Sequence, residues 1–189
     1  ATVGLIELAR VLASRPRRRT IRLISFGAEE QLSVGSSAYV RRHRADLARD
    51  GRLMFNLDSF GSLLGWNLIS GSAPAAVDDL LRPYFARFDH YYRRDHGVLP
   101  YADHFPFNAA GVPGLTLMRP NCAGGRFFHH RPDDDRSRVD PALMAGLLNA
   151  IAAFLGDLAE VEQLPFAARL PAGELPAIAH CWDDLFGGW

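Results

Sequence analysis

Apolar residues at Val3, Ile6, Leu8, Val11 and Leu12 alternate with small and polar ones at a helical spacing over residues 2–14. The basic run Arg15 to Arg19, broken by Pro16, then reads as a solvated connection. Residues 20–26 form a short apolar run with β-branched and aromatic side chains, a buried strand that stops at Gly27. A helix is predicted over 36–46, a second strand over 53–58 and turn material over 59–62. A short strand follows at 66–70, then a helix at 74–88 with Pro74 suited to its first turn. Residues 90–96 read as a polar, aromatic surface loop. Residues 101–107 lead into a short helix stopped by Gly111, and 112–118 supply another buried strand. After a Gly-rich loop at 120–126, Leu143, Met144, Leu147, Leu148, Ile151 and Phe154 mark a long amphipathic helix over 141–158.

Strands alternating with helices predict an α/β fold, a mostly parallel sheet between two helical layers, with strand 20–26 paired beside strand 53–58. Residues 1–164 form the expected body. Residues 165–189 form a Pro- and Gly-rich tail whose Phe166, Ile178, Trp182, Phe186 and Trp189 pack on it. No repeat or interior linker interrupts the pattern.

Composition narrows the class. A chain of 189 residues with 48% hydrophobic and 22% charged residues suits one globular domain. Zero net charge gives no argument for a nucleic-acid or anionic-membrane partner, and no apolar run is expected to reach the length of a membrane span. All 21 basic residues are arginine, a coding bias rather than a site. Cys122 and Cys181 are too few for a thiolate metal centre or a disulfide framework, and nothing in the sequence says whether they are bonded. No signal peptide is read at the start, and the residues themselves fix no compartment.

Candidate chemistry sits at strand ends. Glu29 and Glu30 emerge just beyond strand 20–26, where α/β sheets place their ligands. Adjacent carboxylates repel unless a cation or shared proton compensates, a conflict that one metal-holding and one proton-accepting acid would resolve. Asp58 ends the next strand and is expected on the same sheet edge. After the last strand come His129 and His130 with Asp133, Asp134 and Asp135, a spacing that fits an imidazole ligand oriented by a nearby acid.

Phe26-Gly27-Ala28-Glu29-Glu30, Asn56-Leu57-Asp58, Asp103-His104-Phe105-Pro106-Phe107 before Gly111-Val112-Pro113, and His130-Arg131-Pro132-Asp133-Asp134 before Val139-Asp140-Pro141 run in one order along the chain. Together they resemble the zinc-dependent aminopeptidase family that also contains glutamate carboxypeptidases and glutaminyl cyclases. The resemblance implies a zinc exopeptidase fold and a peptide or aminoacyl substrate. It implies Glu29 as general base, Glu30 and His130 as ligands of one zinc, and Asp58 as ligand of a second. Asp103, His104 and Asp133 take supporting roles at the pocket, and His129 stands one position too early for the motif. His43, His90 and His96 fall in segments that do not resemble the motif of the family's further His and bridging Asp.

The family's further His and its metal-bridging Asp have no counterpart here, since residues 1–8 resemble the helix that follows them. The expectation is therefore an N-terminally incomplete site, inactive alone, with open strand edges able to pair with a preceding segment or another chain. A secreted or periplasmic setting follows from the resemblance alone. The alternatives are a glutaminyl cyclase on the same scaffold, or a peptide-binding relative that has lost its metals.

Overall fold

The computed structural model describes residues 1–120 and 128–189. Most of the Gly-rich loop read at 120–126, together with Cys122 and Phe127, lies outside the described residues. The helices are α1 (Thr2–Ala13), α2 (Val34–Asp50), α3 (Ala75–Arg87), α4 (Phe105–Ala109), α5 (Pro141–Glu160) and α6 (Leu175–Phe186). The strands are β1 (Met54–Leu57), β2 (Asn67–Gly71), β3 (Tyr92–His96) and β4 (Gly114–Met118), in the spatial order β1-β4-β2-β3.

Pairs β1/β4 and β2/β3 are parallel and β2/β4 is antiparallel, so the sheet is mixed rather than uniformly parallel. Period-2 alternation sorts its two faces. Leu53, Phe55 and Leu57 join Ile69, Leu115 and Leu117 in the core beneath α1, α3 and α5. Met54 instead packs with Val40 of α2 and with Phe107 and Val112 around α4. Helices thus cover both faces, the three-layer α/β fold expected. In the tail, α6 sets Ile178 and Trp182 against Phe105 of α4, and Cys181 is a free thiol.

Three expectations need correction. Residues 20–26 join no ladder; they run unpaired, and β1 ends the sheet with one edge open. None of residues 20–26 is buried and Leu23 is exposed, so the expected burial fails together with the ladder: an apolar run is covered only where a partner strand lies in reach, and β1 is not that partner. Between and around these segments lies a cavity of about 1140 Å³, walled by residues 19–26, residues 51–58, α1 and the end of α5.

Residues 92–96, read as loop, form β3. This edge strand leaves Arg93, Asp95 and His96 exposed, and charged edge strands carry no apolar alternation to reveal them. Finally, α5 is long and apolar enough by composition to cross a membrane, with mean hydropathy 1.7. Its Leu147, Ile151 and Phe154 are instead the centre of the core against α1 and α3.

Candidate metal and carboxylate site

Both glutamates sit in a 3-10 turn, Glu29–Gln31, wedged between the unpaired segment and α2. The turn is held in an unusual backbone state: Ala28, Leu32 and Ser33 all adopt left-handed φ, between 51° and 61°. Such residues lie in a sparsely populated region and persist where surrounding bonds over-determine them. Those bonds are present. The Ser33 amide donates to the Glu29 carbonyl at 2.7 Å, Val34 to Ala28 at 3.2 Å and Gly35 to Gly27 at 3.1 Å. Gly35 is required by closeness, since a Cβ there would stand 2.3 Å from the Gly27 oxygen.

The turn sends its two acids to different places. Glu29 lines the cavity together with Asp58 and Asp103. Glu30 instead meets His130, with Oε1 2.9 Å from Nε2, and both side chains are more than half exposed. The His129 ring stacks on that of His130, with centroids 3.7 Å apart and planes 25° from parallel. One candidate ligand atom from each of Glu30, His129 and His130 lies within 4.8 Å of the others. A carboxylate and two imidazoles are a donor set that catalytic zinc sites use, so these residues fit the metal that the sequence motifs imply. Asp58 is not part of this cluster.

Asp58 and Asp103 are fixed by deeper structure. Asp58 extends the β1/β4 ladder, its amide donating to the Leu117 carbonyl at 2.9 Å. The period-2 pattern turns it to the α2/α4 face with Met54 and Asn56, whose Nδ2 donates to Thr116 Oγ1 at 3.1 Å. Asp103 is buried and accepts a 2.6 Å hydrogen bond from Ser36 Oγ. Desolvation raises its pKa above the ordinary carboxyl range, and the Asp58 charge adds to that, while the Ser36 bond opposes it. Ser36, fully buried on the first turn of α2, is the site residue the sequence did not single out. A serine near a helix start carries no mark that separates an acid's partner from an ordinary first-turn residue.

The other supporting residues divide. His104 does not line the cavity; it is fully buried against Gly71, whose added Cβ would meet its ring at 2.7 Å. Neither ring nitrogen has a hydrogen-bond partner among the described residues, and burial, reinforced by Arg94, pushes its pKa down to about 3. It is a neutral core histidine rather than a pocket group. The Asp133 carboxylate pairs with Arg131 at 3.0 Å, and the acid on His130 is Glu30. Asp135 caps the 3-10 turn Arg136–Arg138, and Asp140 caps α5 through the Ala142 and Leu143 amides at 2.9 and 3.0 Å.

Comparison with known proteins sets this arrangement in context. The family described as peptidase family M28 matches residues 1–155. Aminopeptidase YwaD of Bacillus subtilis is 27% identical over 179 residues, covering 87% of this chain and 37% of that protein. Carboxypeptidase Q of Rattus norvegicus is 32% identical over 167 residues, covering 84% of this chain and 33% of that protein. The chain thus spans about a third of the length of the curated relatives it matches. Among solved structures, a zinc aminopeptidase from Bacillus subtilis superposes with TM-score 0.75 at 22% identity, covering 90% of this chain and 43% of that one. A glutaminyl cyclase from Porphyromonas gingivalis superposes with TM-score 0.60 at 16% identity, covering 82% of this chain and 59% of that one. At these identities the two structures establish the fold.

Proposed function

The chain belongs to peptidase family M28, and from that membership we propose that the protein carrying it is a zinc-dependent exopeptidase, an aminopeptidase. The observation that supports this reading is the division of labour in the Glu29–Gln31 turn. Glu30 is committed to the histidine cluster, while Glu29, its neighbour in sequence, stands at a cavity with Asp58 and Asp103. Glu30 and His130 would hold zinc, which supplies a Lewis acid that polarises a carbonyl and acidifies water. Glu29 takes the proton of the attacking water as the new C–O bond forms, then delivers it to the amine as the C–N bond breaks.

The carboxylates also favour an amino over a carboxyl terminus. Glu29, Asp58 and Asp103 share one cavity wall, where a substrate ammonium gains and a carboxylate loses. Of the arginines on the same wall, Arg49 is neutralised by Asp46 and Asp50, while Arg22 bonds Tyr39 and Arg19 and Arg52 bond backbone carbonyls.

The test uses the full-length protein, zinc-loaded, with aminoacyl-anilides, carboxyl-terminal dipeptides and a glutaminyl peptide as substrates. Anilide hydrolysis is expected, and Glu29→Gln should lower kcat by about two orders of magnitude or more while zinc stays bound. Cyclisation of the glutaminyl peptide without anilide hydrolysis would replace the aminopeptidase by a cyclase. Near-normal turnover in Glu29→Gln would remove Glu29 from the role of base.

A further inference from the structure

Strand β3 ends the sheet at the margin opposite β1, and among the described residues it pairs with no strand but β2. Its free side faces away from β1 and from the cavity beside it. An open strand edge is a template for another strand unless its side chains forbid the pairing. We propose that this edge is an interface between two copies of the chain. In it, β3 pairs antiparallel with the partner's β3 about a two-fold axis at Arg94, and the two sheets become continuous.

Side-chain order selects that register. Alternation along the strand places Tyr91, Arg93 and Asp95 on one face, and all three are exposed. Tyr92, on the other face, packs its ring edge-on against Phe85 in the core. An axis that pairs a strand side by side with its own copy stands normal to the sheet, so each face of one copy continues the same face of the other. It therefore passes through a residue, and opposed positions share a face. Centred on Arg93, the axis sets that guanidinium against its own symmetry mate. Centred on Asp95, it opposes two carboxylates. Centred on Arg94, it sets Arg93 opposite the partner's Asp95, and does so twice. Unlike charges directly opposed stabilise an antiparallel pair, and like charges weaken it. Charged residues commonly guard an edge by repelling its copies; here opposite charges two positions apart make the edge complementary to itself.

Two neighbours fit the same register. It matches Tyr91 with the partner's Gly97, and around Gly97 no heavy atom beyond its chain neighbours lies within 4 Å of where a Cβ would stand. The phenol ring finds open space there, the pairing by which an aromatic covers an edge glycine. Trp66, exposed and adjoining Tyr91 at the start of the β2/β3 ladder, widens this apolar rim. On the axis, Arg94 is drawn back over its own sheet. Its guanidinium donates to the Ile69 and Gly71 carbonyls of β2 at 3.2 and 2.6 Å, away from its symmetry mate.

Sedimentation of the purified full-length protein over a range of concentrations tests the proposal. A monomer–dimer equilibrium is expected, with edge-facing amides among residues 92–96 exchanging hydrogen more slowly as the dimer fills. Arg93→Asp alone, or Asp95→Arg alone, should raise the dimer dissociation constant at least about tenfold, because both symmetric pairs pass from attraction to repulsion. Combining the two substitutions exchanges the charges and should return the constant to within about threefold of native. Both side chains are exposed, so the variants should keep the native unfolding midpoint, and the exchange measurement needs no variant at all. A protein that stays monomeric would overturn the proposal. So would a dimer whose constant neither single substitution moves, a double variant as weak as the singles, or amides 92–96 that exchange alike in monomer and dimer.

Discussion

The two margins of the sheet differ in how they hold their side chains. On the β4-β2-β3 side, Leu81, Phe85, Ile151 and Phe154 of α3 and α5 are almost wholly buried beneath the sheet. On the β1 side, residues 20–26 run unpaired and a large cavity replaces the packed layer. The candidate chemistry gathers on this second margin. Asp58 and Asp103 reach it from the ordered side, fixed by a ladder bond and a buried serine. Glu30, His129 and His130 belong to exposed turns held by left-handed backbone and by one another. Rigid elements place the acids, whereas a bound cation would draw the exposed donors together. Active groups commonly occupy such less-packed loops carried on a rigid scaffold.

The largest effect should come from attacking the packed margin. Phe154→Ala removes a ring that is 2% exposed and meets Tyr84 edge-on at 5.5 Å, and should cost about 3–5 kcal/mol in chemical denaturation. Zinc affinity measured below the unfolding midpoint should not change. A parallel loss of zinc would mean the two margins are one cooperative unit, which would break the distinction drawn here.

Acid should act on the packed margin next. His104 binds a proton near pH 3 when folded but near 6.5 when exposed, so between these values the unfolded chain holds more protons. Stability from this residue is present above about pH 6.5 and falls as pH drops towards 3, by about 2 kcal/mol at pH 5. Urea midpoints across that range should show the slope, and His104→Gln should flatten it. An equal slope in the variant would assign the acid sensitivity elsewhere.

Where the margins meet, Ser36→Ala deprives the buried Asp103 of its 2.6 Å donor. The expected cost is about 1–2 kcal/mol, with the Asp103 carboxyl titrating still higher by NMR. An unmoved Asp103 resonance would show that Ser36 does not hold it.

The smallest effect belongs to the open margin. Ala28→Gly relieves a left-handed residue at φ 54°, and should change stability by less than about 1 kcal/mol because added freedom in the unfolded chain offsets the relief. Zinc affinity should weaken slightly as the Glu29–Gln31 turn loosens. Tighter zinc binding would argue that the strain opposes the site.

Much of this molecule is local physics that a sequence carries openly. The period of α1 and α5, the apolar run of β4, Pro74 before α3 and Asp140 with Pro141 at the start of α5 each dictate an element from their own residues. The resemblance also put Glu30 and His130 at one place, and the two side chains meet at 2.9 Å. Tertiary structure decided the rest. Whether an apolar run such as 20–26 enters a ladder depends on a partner across space, and β3 exists only because β2 offers an edge to a charged segment. The partner that Asp133 takes, Arg131, was likewise set by the fold rather than by the motif. His129 stacks on His130, and Ser36 meets Asp103 across 67 residues. Period and composition report what a residue prefers to bury; only the closed chain determines which groups it buries beside one another.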